Sequence, residues 1–139
     1  FTAGWSDGAA ERIWPIIRRN GFLLHAFVAT DQVRDWAALL DLAEQGVTFG
    51  SALASECAAD SLRCGPLLKE AVRSRLTLEH VLRAPVTTVA PAGLADVRVE
   101  QLVAAAGYSR LFGEDGGPAL IAARELQTPR IRMRTRKSW

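Results

Sequence analysis

The sequence predicts a mainly α-helical domain built of stacked helix–turn–helix hairpins, like an α-solenoid or helical bundle. Three observations carry this expectation. Short amphipathic segments follow one another from Phe22 to Leu82, each with an apolar stripe too wide to leave in water. Glycine, proline or a capping residue separates neighbouring segments at close intervals. Only one short stretch, Val86–Ala90, has the β-branched run bounded by prolines that reads as a strand.

Taken in order, the segment 1–21 opens as a loop. Ser6 or Asp7 is a candidate N-cap for a first helix, with Pro15 kinking or restarting it. Ile13, Trp14, Ile16 and Ile17 form its apolar cluster, and Asn20-Gly21 is a C-terminal stop. Phe22–Ala29 is apolar almost throughout and is read as helix rather than strand, because no strand partner lies nearby in sequence. Thr30 or Asp31 then caps a helix over Asp31–Gln45, whose Val33, Trp36, Ala37, Leu40 and Ala43 recur at steps of three and four. Val47–Gly50 is a connector. Ser51 caps a helix over Ala52–Arg63, Pro66 starts another reaching Leu76, and Thr77 caps a short one over Leu78–Arg83.

After the strand at 86–90, Asp96 caps a helix over Val97–Ala106 that Gly107 ends. Gly113–Gly117 is a loop, Pro118 begins a last helix through Leu126, and Pro129 closes it. The domain is therefore expected over 1–128, with a hairpin block at 20–83, a C-terminal helical part at 96–127 and an extended basic tail at 129–139. That tail holds five of the 17 Lys and Arg residues and no acid.

At 139 residues the chain is long enough to bury one core without metal or disulfide help. A net charge of +2 argues against a general polyanion binder. Cys57 and Cys64, seven apart, match neither a C-x-x-C motif nor a four-ligand zinc site, and read as small buried hydrophobes. No apolar run approaches the roughly 18 residues of a membrane span. The start at Phe1 fits a processed precursor, a fragment or a trimmed piece.

Two segments resemble hairpins of the pentatricopeptide repeat (PPR) family. NGFLLHAFVATDQVRDWAALLDLAEQGV is similar to one repeat, and VTFGSALASECAADSLRCGPLLKEAVRSRL to the next. Asn20, Phe49 and His80 recur at two nearly equal steps, of the size that stacked helical pairs need. The resemblance implies a helical scaffold over about 20–83, and in some relatives single-stranded RNA binding in organelles. The positions that would read bases are Gly21 and Gly50, which have no side chain to do so.

Catalytic signatures are sparse. There is no G-x-S-x-G and no S-x-x-K, and His25 and His80 are the only histidines. The Asp31, Asp35, Asp41 and Glu44 series reads as the solvated face of one helix. A helix-turn-helix reading of 99–117 is cut short by Gly113, Gly116 and Gly117, so DNA is not an expected partner. GEDGGP lacks the G-K-[ST] of a phosphate loop. The expected function is a non-enzymatic scaffold or interaction subunit of a larger assembly, intracellular and in the specific version mitochondrial. No catalytic residue, cofactor or metal is assigned. Its partner-binding residues are Arg130, Arg132, Arg134, Arg136, Lys137 and Trp139, placed to meet an acidic protein surface or RNA phosphates. One alternative is an organellar RNA-binding PPR-like protein. Another is a small regulatory or enzyme domain using His25, Glu79 or His80.

Overall fold

The computed structural model describes residues 2–6, 8–55, 58–93, 96–113 and 127–129. Its described strands are β1 (Thr2–Gly4), β2 (His25–Val28), β3 (Thr48–Ser51), β4 (Thr88–Val89), β5 (Arg110–Gly113) and β6 (Gln127–Pro129). Helices α1 (Ala9–Arg19), α2 (Trp36–Glu44), α3 (Cys64–Leu82) and α4 (Val97–Ala105) fill the first four crossovers. All pairings are parallel and the strand order is β1-β2-β3-β4-β5-β6. The mainly α expectation is therefore corrected: this is an α/β fold with a sequentially ordered parallel sheet.

The correction centres on the supposed hairpins. The stretch read as helix at Phe22–Ala29 contains β2, flanked by β1 and β3, each reached through a helical crossover. Ala26, Phe27 and Val28 are all buried. A parallel strand covered on both faces shows a continuous apolar run, with no alternation to distinguish it from a buried helix. The connector Val47–Gly50 is β3 for most of its length. The described residues of the expected Ala52–Arg63 helix form no α-helix; after β3 they make a 3₁₀ turn at Ala59–Ser61. The two helices expected after Pro66 are one continuous α3, with Thr77 inside it. With these elements gone, the PPR resemblance falls as well. The actual repeat is a βα unit: Thr2, His25 and Thr48 are partners in register and are evenly spaced along the chain.

Several local signals are present where the sequence puts them. Asn20 caps α1 and Gly21 follows at φ +74°. The strand at 86–90 is β4. Asp96 accepts from Val99 N–H at 2.8 Å and starts α4. Others differ in detail. α1 has Gly8 as its N-cap, without a side-chain cap, and runs through Pro15. Trp14 and Ile17 are buried in its face, whereas Ile13 and Ile16 are exposed. The cap of α2 is Asp35, accepting from Ala38 N–H at 3.0 Å, while Thr30–Gln32 forms a separate 3₁₀ turn. Ser109 leads into β5 rather than a recognition helix. The helix expected at 118–126 lies outside the described residues. No described helix is long and apolar enough to cross a membrane.

One face of the sheet carries Ala26, Val28, Phe49, Val89 and Leu111, packed with Leu39, Leu67, Ala71, Leu78, Val99 and Val103 of the helices. Burial of these side chains supplies the main folding drive, about 25 cal/mol per Å² of apolar surface. A buried chain of hydroxyls runs through this layer. Ser51 Oγ and Ser74 Oγ are 2.7 Å apart, Ser74 Oγ and Tyr108 OH are 2.9 Å apart, and Tyr108 OH donates to Ala71 O at 2.9 Å. Ser51 Oγ also accepts from Leu53 N–H at 2.9 Å, so no member of the chain is left unpaired. This contact holds Leu53 just past β3, at φ +65°. A leucine there costs about 1–2 kcal/mol, offset by complete burial of its side chain. Thr30 N–H and Asp31 N–H then donate to Leu53 O and Ala54 O, tying the end of β2 to the end of β3.

Candidate functional site on the concave face of the sheet

The opposite face of the sheet is curled. Phe27 on β2 and Phe112 on β5 lie three strands apart, which in a flat sheet is about 14 Å. Their ring centroids are 5.1 Å apart. His25 on β2 likewise reaches Thr88 on β4 at 2.7 Å. Only strong curvature, of the kind that closes sheets into barrels, brings these side chains together.

Side-chain alternation stacks the concave face into layers. The lowest, at the first residues of the strands, is His25, Thr48 and Thr88. His25 Nδ1 is 2.6 Å from Thr48 Oγ1 and Nε2 is 2.7 Å from Thr88 Oγ1. Thr48 Oγ1 donates to Leu24 O at 3.4 Å. Thr48 is thus left to accept from Nδ1–H, and Thr88 donates to Nε2; this tautomer is assigned from the network. Above it are Phe27, Gly50 and Phe112. The His25 ring meets Phe27 edge-on, with centroids 4.9 Å apart. Gly50 is required here, because a Cβ would overlap Thr88 Oγ1 and stand 2.9 Å from two ring carbons of Phe27.

The top layer lies at the C-terminal ends of the strands, where barrels and open α/β sheets carry their chemistry. Ala52 N–H donates to Val28 O at 2.7 Å and Ala90 N–H to Ser51 O at 2.7 Å, so the ladder continues one residue past β3 and β4. Continued alternation puts Ala29, Ala52 and Ala90 on the concave side at this rim. Gly4 at the end of β1 shares that face, through its register with Phe27. Among the described residues, this rim is an apolar floor lined by the methyl groups of Ala29, Ala52 and Ala90.

Polar groups surround the floor. Asp31 pairs with Arg73 of α3 at 3.0 Å, both about half exposed, a surface pair worth little to stability. Ser55 Oγ donates to Glu70 Oε1 at 2.6 Å, and Glu70 Oε2 is buried with no partner among the described residues. Among the described residues no group of three or more His, Cys, Asp and Glu is placed to hold a metal ion.

The structure separates the residues of the histidine–carboxylate alternative. His25 bonds the two threonines. Glu79 instead bonds Arg75, at 3.2 and 3.3 Å, and Val86 N–H at 3.1 Å. His80 is exposed near the end of α3. Both ring nitrogens of His25 are occupied, and no described carboxylate orients it as a general base would require. Thr48, Thr88, Gly50 and Phe112 are not assignable from sequence, since no local motif marks them. Cys64, expected to be buried, is exposed. Arg130, Arg132, Arg134, Arg136, Lys137 and Trp139 lie outside the described residues, as do Asp7, Glu56 and Cys57.

Burial pushes the His25 imidazolium below its ordinary value of 6.5. The unfolded chain therefore takes up a proton that the folded chain resists. Stability contributed by His25 is complete above 6.5, falls as pH drops through that value, and levels off below the folded pKa. His25→Gln is expected to flatten this slope, measured as urea midpoints at a series of pH values from about 5 to 8. An unchanged slope would assign the dependence to other groups.

No protein-family model matches the sequence, and no curated protein matches it at a significant level. Solved structures do match. A Streptococcus pyogenes deacetylase in complex with acetate superposes with a TM-score of 0.84 at 17% identity, over 95% of this chain and 62% of that one. A polysaccharide deacetylase from Bacillus cereus gives 0.76 at 16% identity, over 94% of this chain and 45% of that one. A mutant of a CE4 family pseudoenzyme gives 0.70 at 12% identity, over 79% of this chain and 42% of that one. This chain thus spans about three fifths or less of these three structures, and at such identities the likeness is one of fold: its parallel sheet and helices superpose on theirs.

Proposed function

We propose that this chain is a carbohydrate-active domain that takes an acylated polysaccharide across the C-terminal ends of its strands. The carrying observation is the superposition over 95% of the chain on a deacetylase in complex with acetate. The non-enzymatic helical-repeat scaffold is withdrawn, because its hairpins are strands and crossovers. The PPR-like RNA-reading alternative came from the same resemblance and is withdrawn with it. The expectation of no enzyme is corrected by neighbours named as deacetylases and a carbohydrate esterase.

The rim suits such a ligand in shape. Small residues, Ala29, Ala52 and Ala90, stand at the described strand ends, and Ser55, Glu70, Asp31 and Arg73 supply polar groups beyond them. Sugar-binding sites combine the same two elements, apolar area and a few placed polar groups.

Ala92, exposed in the loop after β4, permits a direct test. Ala92→Trp should weaken binding of a soluble N-acetylglucosamine oligosaccharide by about tenfold or more, measured by calorimetry. His80→Ala, at the opposite end of the sheet, should leave it unchanged. Failure of the unaltered protein to bind any acylated oligosaccharide would sink the proposal.

A further inference from the structure

Resting on that reading, we infer that the rim holds its acylated glycan without a histidine-held metal. Releasing an acyl group from an ester or amide near neutral pH needs an activated water. A bound metal ion can lower the pKa of that water, or a general base can take its proton. Imidazole is the common donor in both roles. The whole sequence contains two histidines, and both are described.

Neither reaches the rim. His25 opens β2 and lies four positions below Ala29, about 13 Å along an extended strand. Its nitrogens are engaged by Thr48 and Thr88 at 2.6 and 2.7 Å. His80 stands near the end of α3, a helix that runs from the end of β3 back to the start of β4. It therefore lies at the same lower end of the sheet.

The rim offers methyl groups instead. Ala29, Ala52 and Ala90 occupy the inward positions on three adjacent strands, and an alanine can neither ligate a metal nor move a proton. Of the described carboxylates near this end, Asp31 pairs with Arg73, and Glu70 accepts from Ser55 through Oε1 while its Oε2 has no partner among the described residues. The same fold occurs in a protein named as a CE4 family pseudoenzyme, so the sheet by itself does not fix an activity. What remains among the described residues is an alanine-lined floor with a polar border and no imidazole to hold a metal.

The test has two independent arms. In the first, the intact protein is loaded with zinc or cobalt, dialysed, and its metal content measured by elemental analysis. Retention far below one ion per chain is expected; one tightly held ion per chain would overturn the inference. In the second, affinity for an N-acetylglucosamine oligosaccharide is measured with and without EDTA, and acetate release is followed in parallel. Affinity should be the same in both conditions, and zinc should not stimulate release. Loss of affinity in EDTA that zinc restores, or zinc-dependent acetate release, would also overturn it. Absence of binding in both conditions counts against the proposed function, whereas the metal content decides the metal inference by itself.

Discussion

Replacing Phe27 with alanine is expected to cost about 3–5 kcal/mol, the range for deleting a buried aromatic side chain. Phe27 is 2% exposed and lies in the middle layer of the concave face. Its ring meets His25 from the layer below and faces Phe112 from across the sheet. No described helix covers this side at Phe27, so no neighbouring helix can settle into the vacated space. The curl of the sheet is itself supported by these rings, because Phe112 comes within reach only in a curved sheet. Urea denaturation followed by tryptophan fluorescence measures the loss. A cost below about 1 kcal/mol would show that the concave face is not packed as described.

Gly50→Ala should follow at about 2–3 kcal/mol, the upper part of the overpacking range. The added methyl would meet Thr88 Oγ1 and the Phe27 ring. Thr88 must then abandon His25 or its strand must shift, and either change disturbs a part-buried polar pair. The two substitutions should be strongly coupled. In a Phe27→Ala background one of the two clashes is gone, so Gly50→Ala should cost markedly less than it does alone. Additive costs would place the Gly50 conflict wholly on Thr88.

The helices are more legible in the sequence than the strands, and the reason is physical. α4 shows its boundaries through Asp96 and Gly107, and the end of α1 shows through Asn20 and Gly21. These are local signals, complete within a few residues. A short parallel strand has no comparable punctuation. His25–Val28 is apolar along most of its length because both faces are buried. Thr48–Ser51 contains a glycine and a serine, each poor in strands on propensity alone, and each explained only by what it meets across space. Gly50 makes room for Phe27 and Thr88, and Ser51 hydrogen-bonds α3.

The steps from Asn20 to Phe49 and on to His80, which suggest stacked hairpins, connect unlike elements. Phe49 is in a strand and His80 in a helix. The true period is shorter and passes through Thr2, His25 and Thr48, which share no residue type as a set. Site residues are harder still to read. His25 stands out as one of two histidines, but its partners Thr48 and Thr88 are distant in sequence and meet it only in a curled sheet. The alanines of the rim carry no signal at all. A missing functional group becomes informative only once its position at a strand end is known.

Sequential strand order has a consequence for how the protein is made. Each described strand pairs with the strand before it in sequence, so the growing chain can add one βα unit at a time as it leaves the ribosome. Most of these additions bring together segments separated by a single short crossover. The exception is β4, whose Val89 must find Ser51 across the whole of α3. Loop closure grows costly only slowly with length, but this is the widest span among the described pairings. Docking of α3 and β4 onto β3 is therefore the expected slow step. A nascent chain stalled before residue 88 should hold its first three strands while still awaiting the partner that covers β3.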